Sequence, residues 1–122
     1  MIETYVVPGT NIVSMSVEGS ISAPEFDNAL AVFKQAIDEH GSIRVLERIG
    51  ALGMPPVPWS RFWADIRFGF AHLGDISHVA VVSDHRWISA WVGMLGPLLK
   101  PEVQMFSLEE EDKARKWLET AT

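Results

Sequence analysis

No cysteine occurs anywhere in the 122 residues. Its absence excludes disulfides, thiolate nucleophiles and thiolate-held zinc, and it suits a reducing compartment. Clustered positive charge is missing too. Ten basic residues stand against 16 acidic ones, the net charge is −6, and no Lys/Arg run is placed to neutralise successive phosphates. Nucleic acid is therefore not an expected partner. No apolar run approaches the roughly 18 residues of a membrane span, and the opening Met1-Ile2-Glu3-Thr4-Tyr5-Val6-Val7 lacks the basic and apolar regions of an export signal. The expected location is the cytoplasm. Gly-x-Gly-x-x-Gly and Walker patterns are likewise absent, so no cofactor is expected.

What is present reads as one ordinary domain over residues 1–122, with 48% hydrophobic and 21% charged residues, long enough to bury a core against a sheet. Ile2 to Val7 and Ile12 to Glu18 are β-rich runs on either side of Pro8-Gly9-Thr10-Asn11, a turn composition, which predicts an antiparallel hairpin. In the second arm Ile12, Ser14, Ser16 and Glu18 form a face at least partly polar, and Val13, Met15 and Val17 form the buried one. Ser22-Ala23-Pro24-Glu25 matches a capping box at the start of a first helix, which Gly41 stops. Ile43 to Ile49 is the third strand.

Three prolines in residues 50 to 58 prevent a helix there and make an apolar loop. A second helix is predicted from Pro58, with Trp59, Phe62, Trp63, Ile66 and Phe70 on one stripe. His78 to Ser83 has the continuous apolar run of a buried parallel strand. Asp84 is the predicted N-cap of a third helix that carries Trp87, Ile88, Trp91, Val92 and Leu95 inward until Gly96-Pro97. Val103 to Phe106 is the last strand. Ser107-Leu108-Glu109-Glu110 repeats the capping box before an acidic-to-basic final helix with acid-first i,i+4 pairs. The order is ββαβαβαβα: an α/β fold with four helices and a mixed, mostly parallel five-stranded sheet carrying an N-terminal antiparallel hairpin.

Ligands of open α/β sheets bind beyond the carboxyl ends of the strands. That rim holds Arg48, Gly50, the proline loop, Ser60, Asp84, His85, Arg86 and Ser107. His85 and Arg86 at a helix start suit an anion or, more plainly, a solvated first turn. Ser60 is either a phospho-acceptor or an ordinary exposed or capping serine. Ser60, His85 and Asp84 do not make a triad, because neighbours on one helix start point in different directions and no Gly-x-Ser-x-Gly elbow exists. His72, Asp75 and His78 span a helix end, a turn and a strand start rather than one face, so no metal site is expected. No catalytic residue is assigned, and the chain is not expected to be an enzyme. Four of the five tryptophans fall on the second and third helices. They are core, or they line an apolar pocket or an exposed contact patch.

The hairpin opened by Met1-Ile2-Glu3, the helix exit Glu39-His40-Gly41-Ser42-Ile43-Arg44, the helix Phe62-Trp63-Ala64-Asp65-Ile66-Arg67-Phe68-Gly69, the run Val79-Ala80-Val81-Val82-Ser83-Asp84 with Arg86-Trp87, and the acidic last helix ending in Trp117-Leu118 resemble together the SpoIIAA-like family of small bacterial proteins. The fold of that family is similar to STAS domains and, more remotely, to CRAL-TRIO lipid-binding domains. The resemblance implies a non-catalytic binding or regulatory domain. STAS antagonists of anti-sigma factors are switched by phosphorylation of a serine in an Asp-Ser pair after the third strand. Here the matching place holds Val57-Pro58-Trp59-Ser60, without the aspartate.

The functional expectation is protein–protein contact through the aromatic second and third helices, with Trp59, Phe62, Trp63, Arg86, Trp87 and Trp91 as contact residues and a homodimer as one use of the surface. The alternative is a small hydrophobic, acyl or anionic ligand in a pocket at the strand carboxyl ends, anchored by Arg86 or Arg61.

Overall fold

The computed structural model describes residues 1–52, 75–98 and 101–121. Its elements run β1 (Ile2–Val6), β2 (Ile12–Gly19), α1 (Ala23–His40), β3 (Ile43–Leu52), β4 (Ile76–Ser83), α2 (Arg86–Leu95), β5 (Glu102–Phe106) and α3 (Glu111–Thr120). The described residues thus hold three α-helices. The helix predicted from Pro58 lies outside them. A single sheet has the order β1-β2-β3-β4-β5, with β1 antiparallel to β2 and every other pairing parallel. The expected fold class is the observed one.

Strand order advances in one direction, so right-handed crossovers place α1 and α2 on the same face of the sheet. Phe33, Ala36 and Ile37 of α1 accordingly pack on Val13, Ile43 and Val45. Next to them Phe26 closes over Val17 and Ile21. α2 lies over the β5 end of this face, where Gly96 approaches Val103. The opposite face is covered by α3, whose Ala114 and Leu118 are fully buried against Ile12, Leu46, Ala80 and Val82.

Coverage of both faces corrects the reading of β2 as a strand with one polar side. Ser14, on the face assigned as partly polar, is 5% exposed, because the last helix folds back over it. Alternation within one strand reports relative polarity; it does not report whether a distant helix returns.

Helix boundaries follow local chemistry. The Ser22 hydroxyl accepts from the Glu25 amide at 3.3 Å and donates to the Glu25 carboxylate at 3.0 Å. That carboxylate also accepts from the Ile2 amide at 2.9 Å, which ties the first strand to the first helix. Gly41, at φ 75°, gives its amide to the Ile37 carbonyl at 2.7 Å; a left-handed residue here ends α1 without the steric cost that a Cβ carries. Ser107 and Glu110 form the second capping box, on a 3-10 turn over Leu108–Glu110 that leads into α3.

Candidate functional site

The carboxyl rim was the expected place for a ligand, and three of its described residues, Asp84, His85 and Arg48, are each bonded to a neighbouring element. Asp84 does not cap α2. Its Oδ1 reaches across to the Leu108 amide at 3.0 Å and so fixes the start of the final helical segment, while His85 takes the cap position of α2 without a side-chain cap bond. His85 Nε2 lies 2.8 Å from the Gly50 carbonyl. A carbonyl only accepts, so Nε2 carries the proton and donates. Ser83 Oγ accepts from the His85 amide at 3.2 Å. His85, expected as an anion candidate, and Asp84, expected as the N-cap, are therefore ties between β3, α2 and the β5–α3 junction.

Arg48, a third rim candidate, is held between two carboxylates, Glu111 at 3.1 Å and Glu18 at 3.5 Å. Glu111 also pairs with Arg115 at 3.4 Å, and the Arg115 guanidinium donates to the Tyr5 hydroxyl at 3.4 Å. Hydrogen bonds with Ser14 and then with Arg115 hold the Tyr5 phenol below the ordinary tyrosine range. This line of alternating charge runs from β2 across the first turns of α3 to β1. Opposite charges placed this way orient the helix; each exposed pair adds little stability by itself. Among the described strands the order also never reverses, so they offer no switch point at which their carboxyl ends would open into a crevice.

At the amino end of the sheet, His78 is 7% exposed, with Nδ1 2.9 Å from Ser77 Oγ, Nε2 3.3 Å from Glu102 and its ring edge-on to Trp117 at 5.6 Å. Its partners are thus a serine, an edge-strand carboxylate and an aromatic ring. Among the described residues no group of three His, Asp or Glu side chains is placed to hold a metal.

The aromatic candidates divide. Trp59, Ser60, Phe62 and Trp63, with Arg61, lie outside the described residues. Arg86 is exposed in the first turn of α2. Trp91 belongs to the same helix, and its side chain is outside the described part. Trp87, expected to point inward, is 56% exposed, whereas Ile88 beside it is buried at 6%. The correction has a geometric cause: adjacent helical residues are about 100° apart, so one of the pair faces the sheet and the other leaves it.

Two residues that the sequence reading missed complete the outward side. Met94 is 62% exposed, two turns after Trp87 and on the same stripe, and Leu98 in the following 3-10 turn is 80% exposed. The available signal was compositional, since Trp87 through Leu98 contains no charged residue at all. A surface helix ordinarily carries charge on its solvent side.

An open α/β sheet domain, covered on both faces, with Asp84, His85 and Arg48 of its rim tied to neighbouring elements and an aromatic helix uncharged beyond Arg86 that turns Trp87 and Met94 outward, is the class that these features define. The SpoIIAA-like family model matches residues 12–119, and the chain belongs to that family. A crystal structure from Shewanella loihica PV-4, of an uncharacterized protein of the DUF3478 family with a SpoIIAA-like fold, superposes with a TM-score of 0.75 at 16% identity. The match covers 97% of this chain and 92% of that one, and at this identity it speaks to the fold alone. No curated protein matches the chain. No helix among the described residues is long and apolar enough to cross a membrane.

Proposed function

We propose that this STAS-like domain is a non-catalytic binding or regulatory module of the bacterial cytoplasm that acts by protein–protein contact. The contact surface is the aromatic one expected from the sequence, centred on α2. The observation that carries the reading is the outward stripe Trp87, Met94 and Leu98, three large apolar side chains more than half exposed along a segment without a single charge. Tryptophan and methionine are enriched at binding surfaces because they bury much area and adapt their shape. Arg86 at the head of the stripe adds a planar cation suited to a partner carboxylate.

A ligand pocket at the strand carboxyl ends gains no support from the described rim, where His85, Asp84 and Arg48 are each bonded to a neighbouring element. The test compares co-purified proteins retained by the unaltered chain and by the variant Trp87→Glu/Met94→Lys, with thermal melting of both. A partner lost from a variant that melts normally supports the contact surface. A partner set that survives the variant unchanged refutes it.

A further inference from the structure

The two edges of the sheet are not equivalent. At β1 the Ile2 amide is already taken by Glu25, α1 covers the adjacent face, and Glu3 puts a charge inside the strand. β5 is protected less. Its one charge, Glu102, stands at its very start, and Val103 to Phe106 follow without another. An edge strand presents a row of backbone donors and acceptors that only another extended backbone can pair fully.

Beside this edge, between β5 and α2, runs an open groove of about 690 Å³. Ser89, Val92 and Gly93 of α2, with Gly96 just past it, line one side, and Val103 and Met105 of β5 the other. A Cβ built on Gly93 meets nothing within 4 Å, so this wall leaves room for incoming side chains. The groove lies on the helical side opposite the Trp87 and Met94 stripe, and is a second surface. It takes an extended strand that alternates, with apolar side chains entering the groove and polar ones on the other face.

β5 is itself such a strand. We infer that β5 pairs antiparallel with β5 of a second copy of this chain, about a two-fold axis through Gln104, to make one continuous ten-stranded sheet. Pairing about Gln104 uses all five strand residues. It sets each Val103 opposite the other copy's Met105, both on the groove face, and the two Gln104 amides opposite each other on the far face.

Charge separation favours the same arrangement. Glu102 lies on the far face with Gln104, where it pairs with His78 at 3.3 Å, and antiparallel pairing places the two copies of it at opposite ends of the paired strands. The two Glu102 residues are then about 13 Å apart along the strand, beyond the ~8 Å screening length at physiological salt. A parallel arrangement would align the two glutamates.

The inference goes beyond the α2 reading and does not depend on it, because the surfaces are different and each can fail alone. The chain has no cysteine, so Gln104→Cys introduces a single thiol at the proposed axis. Directly paired residues across antiparallel strands lie about 4.5–5.5 Å apart at Cα, within the range that a disulfide spans. Native mass spectrometry of the unaltered chain should show a dimer. Mild oxidation should convert most of Gln104→Cys to a covalent dimer while Glu3→Cys, on the other edge, stays mostly monomeric. Met105→Lys, which puts a charge into the paired groove face, should weaken the dimer more than about tenfold. A chain that stays monomeric at every concentration, or a dimer in which Gln104→Cys cross-links no faster than Glu3→Cys, overturns the proposal. Loss of partner contact in the α2 variant, with the cross-linking of Gln104→Cys unchanged, would leave it standing.

Discussion

The two faces of the sheet are stabilised in different ways. Under α1 the contact is almost purely apolar, Phe33, Ala36 and Ile37 against Val13, Ile43 and Val45, and the helix is 18 residues long. Under α3 the apolar centre is smaller, and the helix has only 10 residues, too few to be stable in isolation. Polar ties surround that smaller core. Arg44 Nη1 donates to the Leu118 carbonyl at the end of the helix, Arg48 and Arg115 hold Glu111 at its start, and Asp84 fixes the turn before it. A long amphipathic helix docks by area, and a short terminal one needs directional bonds at both ends as well.

The largest effects should come from the apolar centres and should differ in reach. Phe33→Ala leaves a cavity in the α1 face and should cost about 3–5 kcal/mol by urea denaturation, with the whole domain melting earlier as one unit. Leu118→Ala should cost about 2–5 kcal/mol by the same measure, and hydrogen exchange should show the first loss of protection in α3 amides while β2, β3 and α1 stay protected. Equal loss of protection on both faces would erase the distinction.

Arg44→Met should cost about 1 kcal/mol in a denaturation experiment. The bond to the helix-end carbonyl is lost, and part of that loss is offset because the buried Arg44 Nε, which has no partner, goes with it. Removing the cap of the last helical segment with Ser107→Ala should cost roughly 0.5–2 kcal/mol, again first visible in α3.

The smallest expected effect is common to both faces. Glu25 is held below the usual carboxylate range by the Ile2 amide and then by the Ser22 hydroxyl, and Glu110 by the Ser107 amide and hydroxyl with Lys113 further off. A carboxyl depressed by folding contributes stability that is complete above its unfolded pKa and is lost as pH falls through the folded one. Both caps should therefore weaken only on acidification below about pH 4.5, and carbon-detected NMR titration should give midpoints under that of an unfolded peptide. A midpoint at or above the peptide value for either residue would remove that cap from the account.

Much of this was legible beforehand because it rests on short-range chemistry. Ser22 with Glu25, Gly41, and Ser107 with Glu110 act across three or four residues, and the strands follow from apolar runs and alternation. The site was less legible. Asp84 suits an N-cap by every local rule, yet its oxygen is used 24 residues away by the Leu108 amide. Trp87 fits an apolar helical stripe, but which of Trp87 and Ile88 turned inward depended on how α2 sits on the sheet. Composition signalled the exposed stripe only as an absence of charge from Trp87 to Leu98.

The sequence by itself determined the described elements, their order, the mostly parallel sheet with its hairpin, and through a set of spaced motifs the SpoIIAA-like family. Tertiary structure alone decided that α3 returns over Ser14, that His85, Asp84 and Arg48 of the rim are tied to neighbouring elements, and that β5 is left with a groove beside it. The physical reason is range. Periodicity and capping are set by neighbours within a turn or two, whereas a bond such as that from Arg44 to Leu118 joins residues 74 apart and exists only once both faces have packed.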